Sequence, residues 1–191
     1  MGSRIIAAVR NDNELDVAVK SKINIIFLLS SNIETLKSQV DLAHQYNKKI
    51  FVHIDLADGI GKDEYGIRFV KSQGADGIIS TRSNLIKLAN KESLYTVQRF
   101  FLVDTHSVDT MIESVKSSKP YMIEIMPGTV CKVVKKLKNE FDIPVVAGGL
   151  IETTSEIKDA LLSGAVAIST GKKEFWENAK WVILKIKNFF F

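Results

Sequence analysis

The chain has 191 residues, 46% of them apolar and 25% charged, which suits one well-buried core over residues 1–191 and leaves too little length for two ordinary domains. Its formal net charge of +4 is a mild excess that permits a polyanionic partner without arguing for one. No apolar run approaches the roughly 18 residues that span a bilayer, no basic-then-apolar leader is visible, and the single cysteine, Cys131, excludes an internal disulfide, so a cytoplasmic protein with no membrane partner is expected.

Apolar runs and amphipathic stretches alternate from end to end. Ile5 to Val9 reads as a first strand, followed by a short helix that Asn11 or Asp12 caps and that carries Leu15 and Val19. Ile23 to Leu29 is a second strand, too continuously apolar to have a wet face. Ser31 or Asn32 then starts a helix with Ile33, Leu36, Val40 and Ala43 spaced three or four apart. Ile50 to Asp55 is the third strand, and Asp58-Gly59 opens a loop. Asp63 caps a helix with Tyr65, Phe69 and Val70 on its apolar side, ended by Gly74. Gly77 to Ser80 is the fourth strand, after which Ser83 can cap a helix.

Tyr95 to Phe100 is the fifth strand, and Asp104 or Thr105 caps the helix containing Val108, Ile112 and Val115. Pro120 precedes the sixth strand, Tyr121 to Met126, which stops at Pro127-Gly128. Val130, Val133, Val134 and Leu137 share one side of the next helix. Val145 to Ala147 is the seventh strand, and Thr153 to Glu156 start a helix that Gly164 ends. Ala165 to Ser169 is the eighth strand, and a last helix runs from about Lys173 towards Asn188. Eight strand–helix pairs predict an α/β protein, a small (β/α)8 TIM-like barrel with short loops. A doubly wound open sheet is the alternative, but no Gly-rich phosphate turn follows the first strand.

In a closed barrel, alternate strand residues face the interior. On the third strand the all-apolar set, Val52 and Ile54, should meet the helices, which sends His53 and Asp55 inward near the C-terminal mouth. The same test turns Glu124 inward on the sixth strand. Arg10 and Arg82 end the first and fourth strands, and Gln98 and Arg99 lie on the fifth. Ligands bind at this end of such barrels, so Asp55, Arg82, Arg99 and Glu124 are candidate ligand-binding residues. The competing reading is a satisfied internal salt-bridge network, since inward charges must be paired.

Gly148-Gly149 follows the seventh strand and Ser169-Thr170-Gly171 the eighth, the common phosphate position of these barrels. Glycines admit backbone N–H groups close to an anion, hydroxyls add donors, and the next helix N-terminus adds its dipole. Gly148, Gly149, Ser169 and Thr170 are therefore candidate phosphate-binding residues, with simple tight turns as the competing reading. Glu152 is an unwelcome charge nearby. No nucleophile stands with an identifiable base, so no catalytic residue, metal ion or cofactor is assigned. Lys132, Lys135 and Lys136 on one helix face read as a solvated surface. No aromatic-rich platform for a single strand of nucleic acid is visible. Phe189-Phe190-Phe191 are more apolar than a free end requires, which opens the option of a homo-oligomer.

From Ile5 to Trp176 the chain carries the segments FVHIDLADGIGKDEYGI, DGIISTRSNLI, TVQRFFLVDT, KPYMIEIMPG, PVVAGGLIET and AVAISTGKKEFW. In these it resembles the glycerol uptake operon antiterminator family of bacterial regulators. The resemblance implies a small barrel that binds glycerol 3-phosphate and acts on the leader mRNA of glycerol-utilisation genes, letting transcription pass a terminator. The chain departs from the family pattern at Glu152, where a basic residue is common, and around Ser30-Ser31-Asn32. Two other classes stay open: an enzyme acting on a small phosphorylated metabolite, and a phosphate sensor with a protein partner.

Overall fold

The computed structural model describes residues 3–178. Eight parallel strands close into a barrel and alternate with helices: β1 Ile5–Val9, α1 Asp12–Lys20, β2 Ile25–Leu28, α2 Leu36–Gln45, β3 Lys49–His53, α3 Glu64–Ser72, β4 Gly77–Ser80, α4 Ser83–Lys91, β5 Tyr95–Phe101, α5 Thr105–Ser118, β6 Met122–Met126, α6 Cys131–Glu140, β7 Val145–Gly148, α7 Thr154–Leu162, β8 Ala167–Thr170 and α8 Lys173–Glu177. Each strand pairs with its neighbours in sequence, and β8 returns to β1 with Ile5 opposite Ile168 and Ala7 opposite Thr170. Closure excludes the open-sheet alternative.

The period of two along each strand divides the core into two layers. Ile6, Phe27, Phe51, Ile79, Val97, Met122 and Val146 fill the barrel. The alternate residues, among them Ile5, Ala7, Val9, Ile26, Leu28 and Ile78, pack beneath the helices. Four helices start on a side-chain cap: Asn11, Asp63, Asp104 and Thr153 accept from the backbone N–H groups of Glu14, Gly66, Ser107 and Glu156. Those caps follow strand C-termini, so they also form the rim of the mouth.

Several local expectations are corrected. Ser31 and Asn32 do not start α2. They pair in parallel with Ala57 and Asp58 as a two-residue ribbon beyond the ends of β2 and β3. Asn32 Oδ1 accepts the N–H groups of Glu34 and Thr35, both at 2.9 Å, and α2 begins only at Leu36. The third strand stops at His53, and Ile54–Leu56 turns into a 3-10 helix that carries Asp55. Arg82, not Ser83, is the N-cap of α4; Ser83 Oγ lies 2.7 Å from Ser114 Oγ instead. Tyr65 is 77% exposed, because three- and four-residue steps back from buried Val70 select Ile67 and Gly66. Gln98 faces the helices, where its Nε2 donates to Ser83 Oγ and Ser114 Oγ. The continuation of the last helix towards Asn188 and the terminal phenylalanines lie outside the described residues.

Gly77 opens β4 facing inward, and a Cβ there would stand 2.7 Å from the Phe51 ring and against the Tyr95 carbonyl. Gly77→Ala should therefore lower the stability in urea unfolding by about 1–3 kcal/mol. A change within a few tenths would mean that the barrel floor yields without cost.

Candidate functional site

Two residues beyond the apolar filling, the inward positions of five strands turn from apolar to polar or small. Phe51 is followed by His53, Val97 by Arg99, Met122 by Glu124, Val146 by Gly148 and Ala167 by Ser169. Arg99 and Glu124 are register partners across β5 and β6. Arg99 Nε donates to Glu124 Oε2 at 2.6 Å, and Ser169 Oγ donates to Glu124 Oε1. Glu124 has no exposed surface and Arg99 only 5%. Gly148 lies between β6 and β8, and any Cβ there would fall 2.7 Å from Glu124 Oε1 and 2.5 Å from Ser169 Oγ. The structure thus brings four candidates, Arg99, Glu124, Gly148 and Ser169, into one buried network. Arg99 uses Nε for it, which leaves the rest of the fork for another partner.

His53, the inward residue at the end of β3, lies within reach of the Arg99 charge and is 4% exposed. Its Nδ1 is buried and has no hydrogen-bond partner among the described residues. Burial, reinforced by the positive charge of Arg99, pushes its pKa down to about 4 against the weaker pull of Asp55. The ring is therefore neutral at pH 7, with one nitrogen able to donate and the other to accept.

Asp55 and Arg82 form a second group. The Asp55 carboxylate accepts from Ser80 Oγ at 2.8 Å, from the Thr81 N–H at 2.7 Å and from Thr81 Oγ1 at 3.0 Å, while Arg82 Nε stays 3.9 Å away. Burial would raise the Asp55 pKa, but these donors outweigh it and hold the carboxyl below its ordinary value. Its contacts tie the end of β3 to the end of β4. Lys62 joins the group: Nζ donates to the carbonyls of Ala57 and Ile60, and burial lowers its pKa against the pull of Asp55 and Asp58.

The loops after β7 and β8 hold the remaining candidates. Gly149 takes φ +68°, and Leu150 follows at φ +54°. The side chain of Thr170 faces the helices, where Oγ1 accepts the Lys172 N–H at 3.2 Å and the carbonyl accepts Trp176 Nε1 at 2.8 Å. So Thr170 is not brought to Ser169's side of the strand. Two amides of the loop that leads into α7 are already used. Glu156 Oε2 already accepts the N–H groups of Glu152 at 2.8 Å and Thr153 at 2.9 Å, a capping box. Positive charge arrives from elsewhere. Lys172 Nζ donates to the Glu152 carbonyl at 3.0 Å, and a Cβ on Gly171 would lie 2.6 Å from Arg10 Nη2. Lys172 was not among the sequence candidates; its signal is its place directly after Ser169-Thr170-Gly171.

Residues 5–176 match the family described as "Glycerol-3-phosphate responsive antiterminator". This chain belongs to that antiterminator family. It is 35% identical over 177 residues to the uncharacterized protein YgcP of Escherichia coli K12, covering 92% of this chain and 93% of that one. Among solved structures it resembles the glycerol uptake operon antiterminator regulatory protein of Listeria monocytogenes, with 33% identity, TM-score 0.87, and 91% and 94% of the two chains covered. A glycerol uptake operon antiterminator-related protein of Thermotoga maritima gives 33% identity and TM-score 0.83 over 92% of this chain and 99% of that one. The residues of the mouth network all fall within the matched span.

Two outcomes follow for this antiterminator-family barrel. Removing one partner of the buried pair leaves the other charged and unpaired, so Glu124→Ala should cost about 3–5 kcal/mol in urea unfolding. For His53 the folded pKa of about 4 lies below the ordinary 6.5, so the unfolded chain takes up the proton first. The contribution is complete above pH 6.5 and is lost as pH falls towards 4, by up to about 3 kcal/mol. His53→Phe should remove that slope from the urea midpoint plotted against pH; an unchanged slope would show that other groups cause it.

Proposed function

We propose that this protein is a regulator of glycerol-utilisation genes that binds glycerol 3-phosphate at the barrel mouth and acts on leader mRNA as a transcription antiterminator. The observation that carries the ligand half is the buried Arg99–Glu124–Ser169 network beneath two glycine-containing loops, with Arg10 and Lys172 beside the second. In this reading the phosphate lies against the loop backbone at Gly148, Gly149, Ser169 and Thr170, because the Ser169 hydroxyl proton is spent on Glu124 and the Thr170 side chain faces the helices. Arg10 and Lys172 supply positive charge beside these loops. The glycerol hydroxyls meet Arg99, Glu124 and His53, with Asp55 and Arg82 on the far side of the mouth. The family description supports the regulatory half.

Glu124 is held as a fixed acceptor, each carboxylate oxygen already taking a donor, and this suits recognition better than proton transfer. One feature favours the alternative, an enzyme acting on a small phosphorylated metabolite: neutral His53, with an unsatisfied nitrogen beside Asp55 and Lys62. That reading predicts turnover of a phosphorylated substrate that His53→Phe abolishes.

Calorimetric titration with glycerol 3-phosphate, glycerol and inorganic phosphate separates these possibilities. Selective binding of the phosphoester is expected, with loss in Gly149→Leu, where the left-handed backbone disfavours a side chain and a Cβ would meet the Met126 methyl at 2.7 Å. Equal binding of inorganic phosphate would remove the polyol contacts from the assignment, and no binding would remove the ligand. RNA binding should fall steeply with salt and change on ligand saturation, because a ligand shifts an equilibrium only by its differential affinity for the two states. Equal RNA affinity with and without ligand would defeat the gating.

A further inference from the structure

At the opposite end of the barrel an open groove of about 490 Å³ is lined by Asn90, Leu94, Tyr95, Lys119, Tyr121 and Asp142, among others. The rings of Tyr95 and Tyr121 meet edge to face with centroids 4.7 Å apart, and the residues are 43% and 55% exposed. Tyr95 continues the interior aromatic column, 6.3 Å from Phe51, whereas Tyr121 precedes β6 and meets only the outer ring of that column. Neither phenol oxygen makes a hydrogen bond among the described residues.

The groove wall is held in place from behind. Asn90 Nδ2 donates to the carbonyls of Ser118 and Lys119, both at 3.0 Å, and Asn90 Oδ1 accepts from Thr96 Oγ1 at 2.9 Å. Thr96 Oγ1 in turn accepts the Tyr121 N–H at 2.9 Å. One polar chain from α4 through β5 thereby fixes both Lys119, which caps α5 at φ +51°, and Tyr121. An exposed pair of aromatic rings beside a lysine whose backbone is pinned suits a planar, anionic partner.

Charge separates the two ends of the barrel. The mouth exposes Asp12, Glu34, Asp58, Asp63, Asp104 and Glu152 beside Arg10 and Arg82. The loops at the groove end carry Arg4, Lys22, Lys48 and Lys119. Three carboxylates at this end are neutralised, Asp76 by Lys49 at 2.7 Å, Glu92 by Arg68 at 3.0 Å and Glu140 by Lys116 at 2.7 Å, which leaves Asp142 as the opposing charge in the groove lining. Helix dipoles alone favour acids at the mouth and bases at this end. They do not account for two exposed tyrosines with unused hydroxyls.

We propose that this groove docks single-stranded RNA, with unstacked bases against Tyr95 and Tyr121 and phosphates facing Lys119 and, further along the same end of the barrel, Arg4 and Lys22. The inference rests on the RNA-acting reading above and assigns its surface. Stacking on aromatic rings is the common way proteins hold unpaired bases, and it tolerates sequence because every base has a π-face.

The test is photo-crosslinking and affinity measurement of the full chain with a random-sequence single-stranded RNA carrying 4-thiouridine, at low salt. Crosslinks at Tyr95 or Tyr121 are expected, with affinity reduced about tenfold or more in Tyr121→Ala. Lys119→Asn, which keeps a residue that tolerates the left-handed backbone, should flatten the salt dependence. Both variants should bind glycerol 3-phosphate as the wild type does, since the mouth lies at the other end. Wild-type binding with crosslinks at the mouth loops, or equal binding by Tyr121→Ala, would overturn the groove while leaving the RNA reading intact. No RNA binding by the wild type would overturn both. A dimer that Tyr121→Ala dissolves would overturn it by assigning the face to a second copy of the chain.

Discussion

A carboxylate sealed inside a closed barrel has to be paired, and much of the mouth follows from how Glu124 is paired. Its register partner on β5 is Arg99, so one oxygen is satisfied between adjacent strands. The other is reached by Ser169, which stands two strands away on β8. That second bond is possible only because the inward position of the intervening strand β7 is Gly148, where a Cβ would occupy the space between donor and acceptor. Four strands are thus committed by one charge. The arrangement adds little stability over an apolar layer, but it is intolerant of losing one member. It leaves a preset pattern of donors and acceptors facing the mouth.

The other half of the mouth solves a different problem. Asp55 leaves the strand on a 3-10 turn, and its carboxylate collects the hydroxyl and amide donors at the end of β4. It is thereby largely taken up in holding β3 to β4. His53 lies between the two groups and is satisfied by neither. Burial and the Arg99 charge keep it neutral, so it adds a polar, uncharged contact to a cavity otherwise ruled by fixed charges. On the proposed reading, a small anion with hydroxyl groups matches this division: charge recognition near β8, hydroxyl recognition across the mouth. Bare phosphate would use only half of it.

The strand interior was the most legible part of the chain, because a period of two with one all-apolar set leaves a single consistent orientation. That argument places His53 and Glu124 inward, as they are. It failed where the chain leaves regular structure. The parallel pairing of Ser31–Asn32 with Ala57–Asp58 joins segments distant in sequence, and nothing local in either announces it. Thr170 was grouped with Ser169 as a hydroxyl pair, yet strand alternation sends it to the helices; the rule that located Glu124 would have separated them. The capping box of α7 is readable too, since Thr153 and Glu156 stand at capping-box spacing, and Glu156 takes the Glu152 and Thr153 amides of the loop before the helix. Tyr95 and Tyr121 belong to different strand–helix units, so only the closed barrel reveals them as a pair.

The direction of the helices gives the molecule an electrical polarity that bears on how two anions of different size could share it. Every helix starts near the mouth, and acidic caps such as Asp63 and Asp104 gather there, whereas Lys20, Lys71, Lys91 and Lys138 lie in last turns at the other end. A small phosphoester can pass the acidic rim and reach Arg99, Arg10 and Lys172, because at such short range contacts with individual groups outweigh the screened field of the rim. A polyanion cannot shrink its footprint in that way. It meets many rim carboxylates at once and is favoured at the basic end. On the proposed reading the same polarity that stabilises the helices therefore keeps the nucleic acid out of the ligand site, and the mild overall excess of positive charge matters through where it is displayed.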